Sequence, residues 1–149
     1  MTKRKLVVIG NGMAGARTVE EILRRGGSEQ FQITMLGEEP HGNYNRILLS
    51  SVLNGSQDAK DIFLNPLDWY EENNVELRAG VRAQSIDREA KRVLTNDCND
   101  AEYDQLIFAT GSRPFVPPME GLATESGETK PGVFVFRTLD DFRKIAGYA

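Results

Sequence analysis

The stretch VVIGNGMAGA, residues 7–16, decides how this chain folds. It leads from an apolar strand into a helix through GNGMAG, residues 10–15, which has the G-x-G-x-x-G spacing. In this motif the first glycine makes a tight turn, the second lets the backbone approach a diphosphate, and the third lets the helix lie close to the strand. The helix N-terminus adds free N–H groups and a positive dipole end. The motif therefore predicts a dinucleotide site that includes Gly10, Gly12, Met13, Ala14 and Gly15.

The residues on either side of the motif complete a strand–helix–strand unit. We expect a strand at Lys5–Ile9, a helix from about Ala14 to Arg25, and a second strand at residues 31–36. This order predicts a parallel pair joined by a right-handed crossover. Glu38 follows the second strand, 23 positions after Gly15, where a carboxylate can bind the adenosine ribose; Glu39 is the second choice. The alternative is a glycine-rich turn without a ligand, and agreement among so many parts argues against it.

The remainder of the chain adds short elements around this unit. Pro66 favours a helix start, and Asp141, three residues after Thr138, fits a capping box at a final helix. Two strands separated by polar turns are expected between residues 83 and 104. Further strands are expected at residues 75–78, 105–109, where burial is predicted, and 133–136. The predicted fold class is α/β, a Rossmann-like domain with a parallel sheet and a small antiparallel β insertion.

Composition excludes several classes of protein. The 149 residues suffice for one domain, and the net charge of -4 argues against nucleic-acid binding. The apolar run Leu6–Ile9 is too short for a secretory signal, and no segment approaches the roughly 20 apolar residues of a membrane span. We therefore expect a cytoplasmic protein without membrane contact. Cys98 and His41 are the single cysteine and histidine, so the chain offers neither a disulfide nor a convincing acid–base pair for a NAD dehydrogenase.

The segment HGNYNRILLS, residues 41–50, poses a separate question. A polar turn is expected at Gly42-Asn43, and Arg46 then stands directly in front of three apolar residues. An unpaired cation is costly to bury. Either a helix starts here and its arginine extends into water, or an anion lies nearby.

The segment DQLIFATG, residues 104–111, identifies a family resemblance. With the glycine motif it resembles the FAD domain of the two-dinucleotide-fold flavoprotein reductases, the pyridine nucleotide-disulfide oxidoreductase superfamily. The disulfide-reductase branch carries a redox cysteine pair after the second strand, where this chain has GNYNRILLSS. The GNGMAG form of the loop, YNRILLS and ATGSRPFVPP are together similar to the large subunit of NAD(P)H-dependent nitrite reductases. The resemblance covers essentially all 149 residues.

The resemblance implies FAD as the cofactor and assigns residues to it. Arg46 matches an arginine near the FAD diphosphate, and the backbone of Ala83 matches a position that meets the adenine. Ser51 stands where many relatives have lysine, which leaves a second cationic contact, and tight flavin affinity, open. Small residues after the strand at 105–109 would permit close approach to the flavin. The residues on the flavin side would be Ala109, Thr110, Gly111 and Arg113, the last of which equally fits a surface arginine in a proline-bounded turn.

The resemblance also implies a function and a larger protein. NAD(P)H would reduce FAD, and electrons would pass to iron–sulfur and sirohaem centres that reduce nitrite to ammonia. Residues 1–149 would be the N-terminal, truncated portion of the FAD-binding domain. The NAD(P)H domain and metal-cofactor domains would be partners on the same polypeptide, and a small nitrite reductase subunit could join them. Two alternatives stay open: a stand-alone reductase for rubredoxin or ferredoxin, and a nucleotide-binding module without a redox role.

Overall fold

The computed structural model describes residues 2–124 and 126–148, which form two compact units. The first unit consists of residues up to Tyr44 together with Phe63–Gly111, and the second of Asn45–Ile62 together with the residues from Ser112 onward. Short 3₁₀ turns occur at Arg46–Leu48 and Ala59–Ile62. The helices and strands, in chain order, are β1 (Arg4–Ile9), α1 (Met13–Arg24), α2 (Gly27–Gln30), β2 (Phe31–Gly37), β3 (Asn43–Tyr44), α3 (Leu49–Leu53), β4 (Phe63–Asn65), α4 (Leu67–Glu72), β5 (Val75–Ala79), β6 (Ala83–Asp87), β7 (Arg92–Thr95), β8 (Ala101–Glu102), β9 (Gln105–Phe108) and α5 (Leu139–Tyr148).

A four-stranded parallel sheet in the order β5-β2-β1-β9 forms the centre of the first unit. Leu6 on β1 lies opposite Ile33 on β2 and Gln105 on β9. The connection from β1 through α1 to β2 forms the predicted parallel pair. Strand β9 pairs with β1 on its other side, so the residue after β9, Ala109, lies beside the start of α1. The predicted α/β class is therefore confirmed.

Strand β1 is buried on both faces of this sheet. Side chains alternate along a strand, so Leu6 and Val8 join one cluster with Tyr70 of α4, whereas Val7 and Ile9 join another. Val93 of β7 belongs to the second cluster and is fully buried. A strand covered on both faces must be apolar throughout, which explains the continuous run in the sequence.

Two small antiparallel sheets complete the strands of the first unit. Strands β6, β7 and β8 form a three-stranded sheet in which Val93 lies opposite Ile86 and Ala101. Strands β3 and β4 form a separate pair. The predicted antiparallel insertion is confirmed by the three-stranded sheet.

The second unit contains α3 and α5. Four apolar side chains with exposures of 6% or less form its interior: Leu49, Val52, Ile62 and Leu139. The Oγ1 of Thr138 accepts a hydrogen bond from the Asp141 N–H at 3.1 Å, and the Asp141 carboxylate accepts one from the Thr138 N–H at 2.9 Å. This reciprocal pair is the predicted capping box.

Three details of the sequence prediction are wrong. Residues 133–136 form no strand with any described residue and are about 40% exposed, because no neighbouring strand is available to receive their backbone hydrogen bonds. Strand β9 is only partly buried: Leu106 and Ile107 pack against the two clusters, but Phe108 is 64% exposed at the end of this edge strand. Gly42 and Asn43 are buried rather than in a polar surface turn, since Asn43 opens β3. Among the described residues, no helix has both the length and the apolar character needed to span a bilayer.

Candidate functional site

Gly10 lies where β1, β2 and β9 end together. Its φ is +113°, a backbone conformation that residues other than glycine rarely adopt. A Cβ built on it would lie 2.1 Å from the Ala109 carbonyl oxygen. The Gly10 N–H donates to the Leu36 carbonyl oxygen at 2.8 Å. Both the backbone conformation and the approach of Ala109 therefore demand glycine at this position.

The other two glycines of the motif differ from each other. A Cβ on Gly15 would lie 2.1 Å from the Gly10 carbonyl oxygen and 3.3 Å from the Cβ of Ala109, so the helix and the loop touch here. A Cβ on Gly12 would have no described atom within 4 Å outside its chain neighbours. Gly15 is needed for packing within the protein, whereas the space at Gly12 is open.

The N-terminus of α1 adjoins this open space. Gly12 is its N-cap, and the residue offers no side chain to cap the helix; no acidic residue lies in the first turn, Met13–Gly15 included. The first N–H groups of an α-helix have no intrahelical partners, and this end carries partial positive charge. Space free of a Cβ, N–H donors that no described side chain caps and a positive dipole end together fit a phosphate or diphosphate group.

The two acidic residues after β2 have different environments. Glu38 is exposed, and its Oε1 lies 3.8 Å from the Nε of Arg82, whose side chain is also exposed. The carboxylate of Glu39 accepts a 2.6 Å hydrogen bond from the hydroxyl of buried Tyr44. Glu39 is thus engaged within the protein, so Glu38 is the better candidate for binding a ribose.

Four further residues of the predicted cofactor site lie in the first unit: Ala83, Ala109, Thr110 and Gly111. Ala109 continues the β1–β9 pairing, because its N–H donates to the Ile9 carbonyl oxygen at 2.8 Å. The Thr110 nitrogen would lie 3.1 Å from a Cβ on Gly10, and Gly111 has a φ of +68°. Ala83 opens β6 opposite Thr95 and is partly buried. The structure therefore brings Ala109 and Thr110 directly to the loop.

Three predicted site residues belong to the second unit. The guanidinium of half-buried Arg46 donates from Nη1 to the Arg137 carbonyl oxygen at 3.0 Å. Ser51 lies in α3, and its carbonyl oxygen accepts from the Ser56 N–H at 3.0 Å. Arg113 lies in an exposed segment outside helices and strands. Arg46 is thus anchored within its own unit, and its role toward an anion stays a prediction.

Sequence reasoning missed a buried polar network behind the glycine loop. The hydroxyl of Tyr70 donates to the Oδ1 of Asn11 at 2.7 Å and accepts from the Asn43 N–H at 3.2 Å. The Asn43 side chain donates to Asn65, which in turn donates to Glu20 of α1, each bond being 2.9 Å long. Asn11 and Tyr70 are 59 positions apart, so no local pattern could have paired them.

A parallel sheet whose first βα turn carries this glycine loop defines a dinucleotide-binding α/β protein. The sequence profile of the family described as pyridine nucleotide-disulphide oxidoreductase matches residues 4–147. The chain belongs to this family, as the resemblance in its motifs indicated.

Similar proteins are reductases much longer than this chain. Nitrite reductase [NAD(P)H] of Bacillus subtilis is 50% identical over 95% of this chain, which spans 17% of that protein. The assimilatory nitrate reductase electron transfer subunit of the same organism is 43% identical over the whole chain, which spans 18% of it. The solved structure of NADH:rubredoxin oxidoreductase from Clostridium acetobutylicum superposes with a TM-score of 0.81 at 27% identity, over 98% of this chain and 35% of that one. The chain therefore spans only 17% and 18% of the lengths of these two Bacillus subtilis proteins.

Proposed function

We propose that this chain is the FAD-binding segment of the large subunit of an NAD(P)H-dependent nitrite reductase. The observation that supports it most is the open space at Gly12 beside the N–H groups at the start of α1, which no described side chain caps, in a chain 50% identical to a nitrite reductase. When bound, FAD supplies the chemistry that accepts a hydride from NAD(P)H and releases electrons toward iron–sulfur and sirohaem centres, where nitrite is reduced to ammonia.

The predicted site residues of this chain would act by binding and orienting the cofactor. The N–H groups of the Gly10–Gly15 loop would bind the diphosphate, and Glu38 would accept hydrogen bonds from the adenosine ribose. Arg46 would add a cation to the diphosphate, and the backbone of Ala83 would meet the adenine. The exposed residues Thr110 and Gly111, together with Arg113, would border the flavin. Ser51 supplies no positive charge, so we expect moderate rather than tight affinity.

The first test is a titration of the purified 149-residue chain with FAD, followed by flavin fluorescence, with NAD and AMP as competitors. We expect saturable FAD binding that neither an equal concentration of NAD nor one of AMP displaces. Preference for NAD would contradict the flavoprotein assignment. Equal affinity for all three would favour a nucleotide-binding module without a redox role.

A stand-alone reductase for rubredoxin or ferredoxin is the second candidate, favoured by the TM-score of 0.81 with NADH:rubredoxin oxidoreductase. The two candidates are separated by assaying the product of the full-length gene. NADH and NADPH would be compared as donors, and nitrite and oxidised rubredoxin as acceptors. Nitrite-dependent oxidation of either donor supports the nitrite reductase assignment, whereas turnover with rubredoxin alone would replace it. Purification of the same gene product would test whether a small subunit copurifies with it. A cytoplasmic location stays a prediction of the sequence.

A further inference from the structure

Asn11, the residue between the first two glycines of the loop, is held at both ends of its carboxamide. Its Oδ1 accepts the Tyr70 hydroxyl proton at 2.7 Å, and its Nδ2 donates to the His41 carbonyl oxygen at 3.2 Å. Its Cβ would lie only 3.0 Å from a Cβ on Gly37, so the end of β2 closes against it. The side chain of Asn11 therefore connects the loop to three other parts of the first unit.

Tyr70 is the buried end of this connection. Its side chain, on α4, is 1% exposed. Its hydroxyl donates one hydrogen bond, to Asn11, and accepts one, from the Asn43 N–H. Burial raises the pKa of this phenol above its usual value, so it stays protonated at neutral pH. The hydroxyl has a single proton, and the geometry directs that proton to Asn11.

The network extends from Tyr70 back to the helix that starts at the loop. Asn43 and Asn65 are 3% and 2% exposed, and through them the chain of hydrogen bonds reaches Glu20 on α1. One acceptor in it, the Oδ1 of Asn43, has no partner among the described residues. Burying polar groups is costly unless they are hydrogen-bonded, and hydrogen bonds between buried groups hold those groups in one arrangement. Here the groups it joins are the loop and the second turn of α1.

We propose that Tyr70 is a positioning residue for cofactor binding, which acts through Asn11 to hold the glycine loop in the conformation that receives the diphosphate. The inference rests on the proposed function, because it needs a diphosphate-containing ligand at the loop. Its physical basis is preorganisation: a loop already fixed before binding loses less conformational entropy when the ligand arrives. Tyr70 itself does not contact the cofactor.

The test compares Tyr70→Phe with Val75→Ala in the full chain, both variants lying in the same apolar cluster. Tyr70→Phe removes only the hydroxyl, and we expect the Kd for FAD to rise about 10-fold, as for the loss of one buried hydrogen bond. Val75→Ala opens a cavity in that cluster without touching the network, so it should lower the stability but leave the Kd within about twofold of the original. Competition against FAD should show that Tyr70→Phe weakens ADP and leaves adenosine, which has no phosphate, unchanged.

Asn11→Ala removes the same hydrogen bond from the side of the partly exposed loop, together with the one to the His41 carbonyl oxygen, and it replaces Tyr70→Phe as the test if that variant does not fold. Combined with Tyr70→Phe it should weaken FAD binding no further than Asn11→Ala alone, because Asn11→Ala already breaks the connection to Tyr70. Unchanged FAD affinity in both single variants, or equal losses in Tyr70→Phe and Val75→Ala, would overturn the inference while the proposed function stands. Absence of saturable FAD binding by the unsubstituted chain would overturn both.

Discussion

The glycine loop and the turn around Asp97 are both hydrogen-bonded regions of the first unit. The hydrogen bonds behind the loop join buried neutral groups, whereas those at Asp97 involve an exposed charged group. Behind the loop lie the neutral groups of Asn11, Tyr70 and Asn43, with Tyr70 and Asn43 almost fully buried. The carboxylate of Asp97 accepts from the Thr95 hydroxyl and lies 3.0 Å from the guanidinium of Arg78, and it remains exposed to solvent.

The difference indicates which hydrogen bonds of this unit cost the most free energy to lose. A buried neutral hydrogen bond cannot be replaced by water, so losing one partner leaves the other unsatisfied. An exposed carboxylate exchanges its partners for water and salt at little cost. We therefore expect substitutions at the loop to act strongly on folding or binding, whereas substitution at Asp97 should cost little stability at neutral pH and should weaken the dependence of stability on acid.

Gly10→Ala should give the largest effect. The change forces a Cβ into a φ of +113° and to within 2.1 Å of the Ala109 carbonyl oxygen, so the free energy of unfolding should fall by about 3 kcal/mol or more. Urea denaturation measures it. Gly26→Ala is the control, since it has a φ of +76° but no described atom within 4 Å, and strain alone should cost about 1 kcal/mol. Equal losses in the two variants would mean that packing at Ala109 is unimportant.

Gly12→Val separates binding from folding at the same loop. Because the space at Gly12 is open, the fold should tolerate the side chain at a cost of about 1 kcal/mol or less. The side chain would occupy the position proposed for the diphosphate, so FAD affinity should fall by about 100-fold or more. Fluorescence titration and urea denaturation of the same preparation provide both values. Unchanged flavin affinity would show that the loop assignment is wrong.

Glu38→Gln and Glu39→Gln test which carboxylate faces the ribose. Glu38→Gln should weaken FAD binding by about 1–3 kcal/mol, the value of a hydrogen bond to a charged group. Glu39→Gln should leave the affinity within about twofold and instead lower stability by about 1 kcal/mol, because Tyr44 loses a charge-assisted partner. Isothermal calorimetry and thermal unfolding distinguish the two outcomes. If the affinity effects are reversed, the ribose contact moves to Glu39.

Asp97→Asn should have the smallest effect, a modest loss of stability above about pH 4 that disappears as the pH falls toward 2. Hydrogen bonding from Thr95, followed by Arg78, lowers the pKa of Asp97 from 3.8 to about 2 in the folded state. A lowered folded-state pKa means that the carboxylate stabilises the fold above about pH 4, and that this stabilisation disappears as the pH falls toward 2. The variant should flatten the pH dependence of unfolding in that window, and Thr95→Val should do so in part. An unchanged pH profile in both would contradict the proposed cause of the shift.

Sequence patterns predicted the first unit better than the second. The run from Leu6 to Ile9, the G-x-G-x-x-G spacing and the apolar segment before Ala109 each depend on local composition. The two apolar segments are strands of the parallel sheet, and the glycine motif forms the turn from β1 into α1. In the second unit, the capping box at Thr138 is equally local and was predicted correctly. Residues 133–136 have the composition of a strand but no pairing partner among the described residues. A strand needs a neighbour, and composition does not supply one.

The candidate site also has some features that the sequence predicted and others that only tertiary contacts show. Spacing alone indicated the glycines and the acid that follows β2, because a diphosphate and a ribose require those residue types at those intervals. Spacing could not show that Gly10 and Gly15 are needed for packing while Gly12 is open, nor that Glu39 is engaged by Tyr44. Those distinctions depend on atoms from separate segments.

The sequence by itself determined the class of the fold, the βα turn that carries the loop and the end of the sheet where a dinucleotide would bind. These follow from residue types repeated at short intervals, since helix and strand periods are properties of the local chain. Only the tertiary structure decided that Tyr70 holds Asn11 and that Phe108 of β9 stays exposed at the sheet edge. Both depend on which segments meet in space, and the chain settles that through the summed burial of all its elements rather than through any one of them.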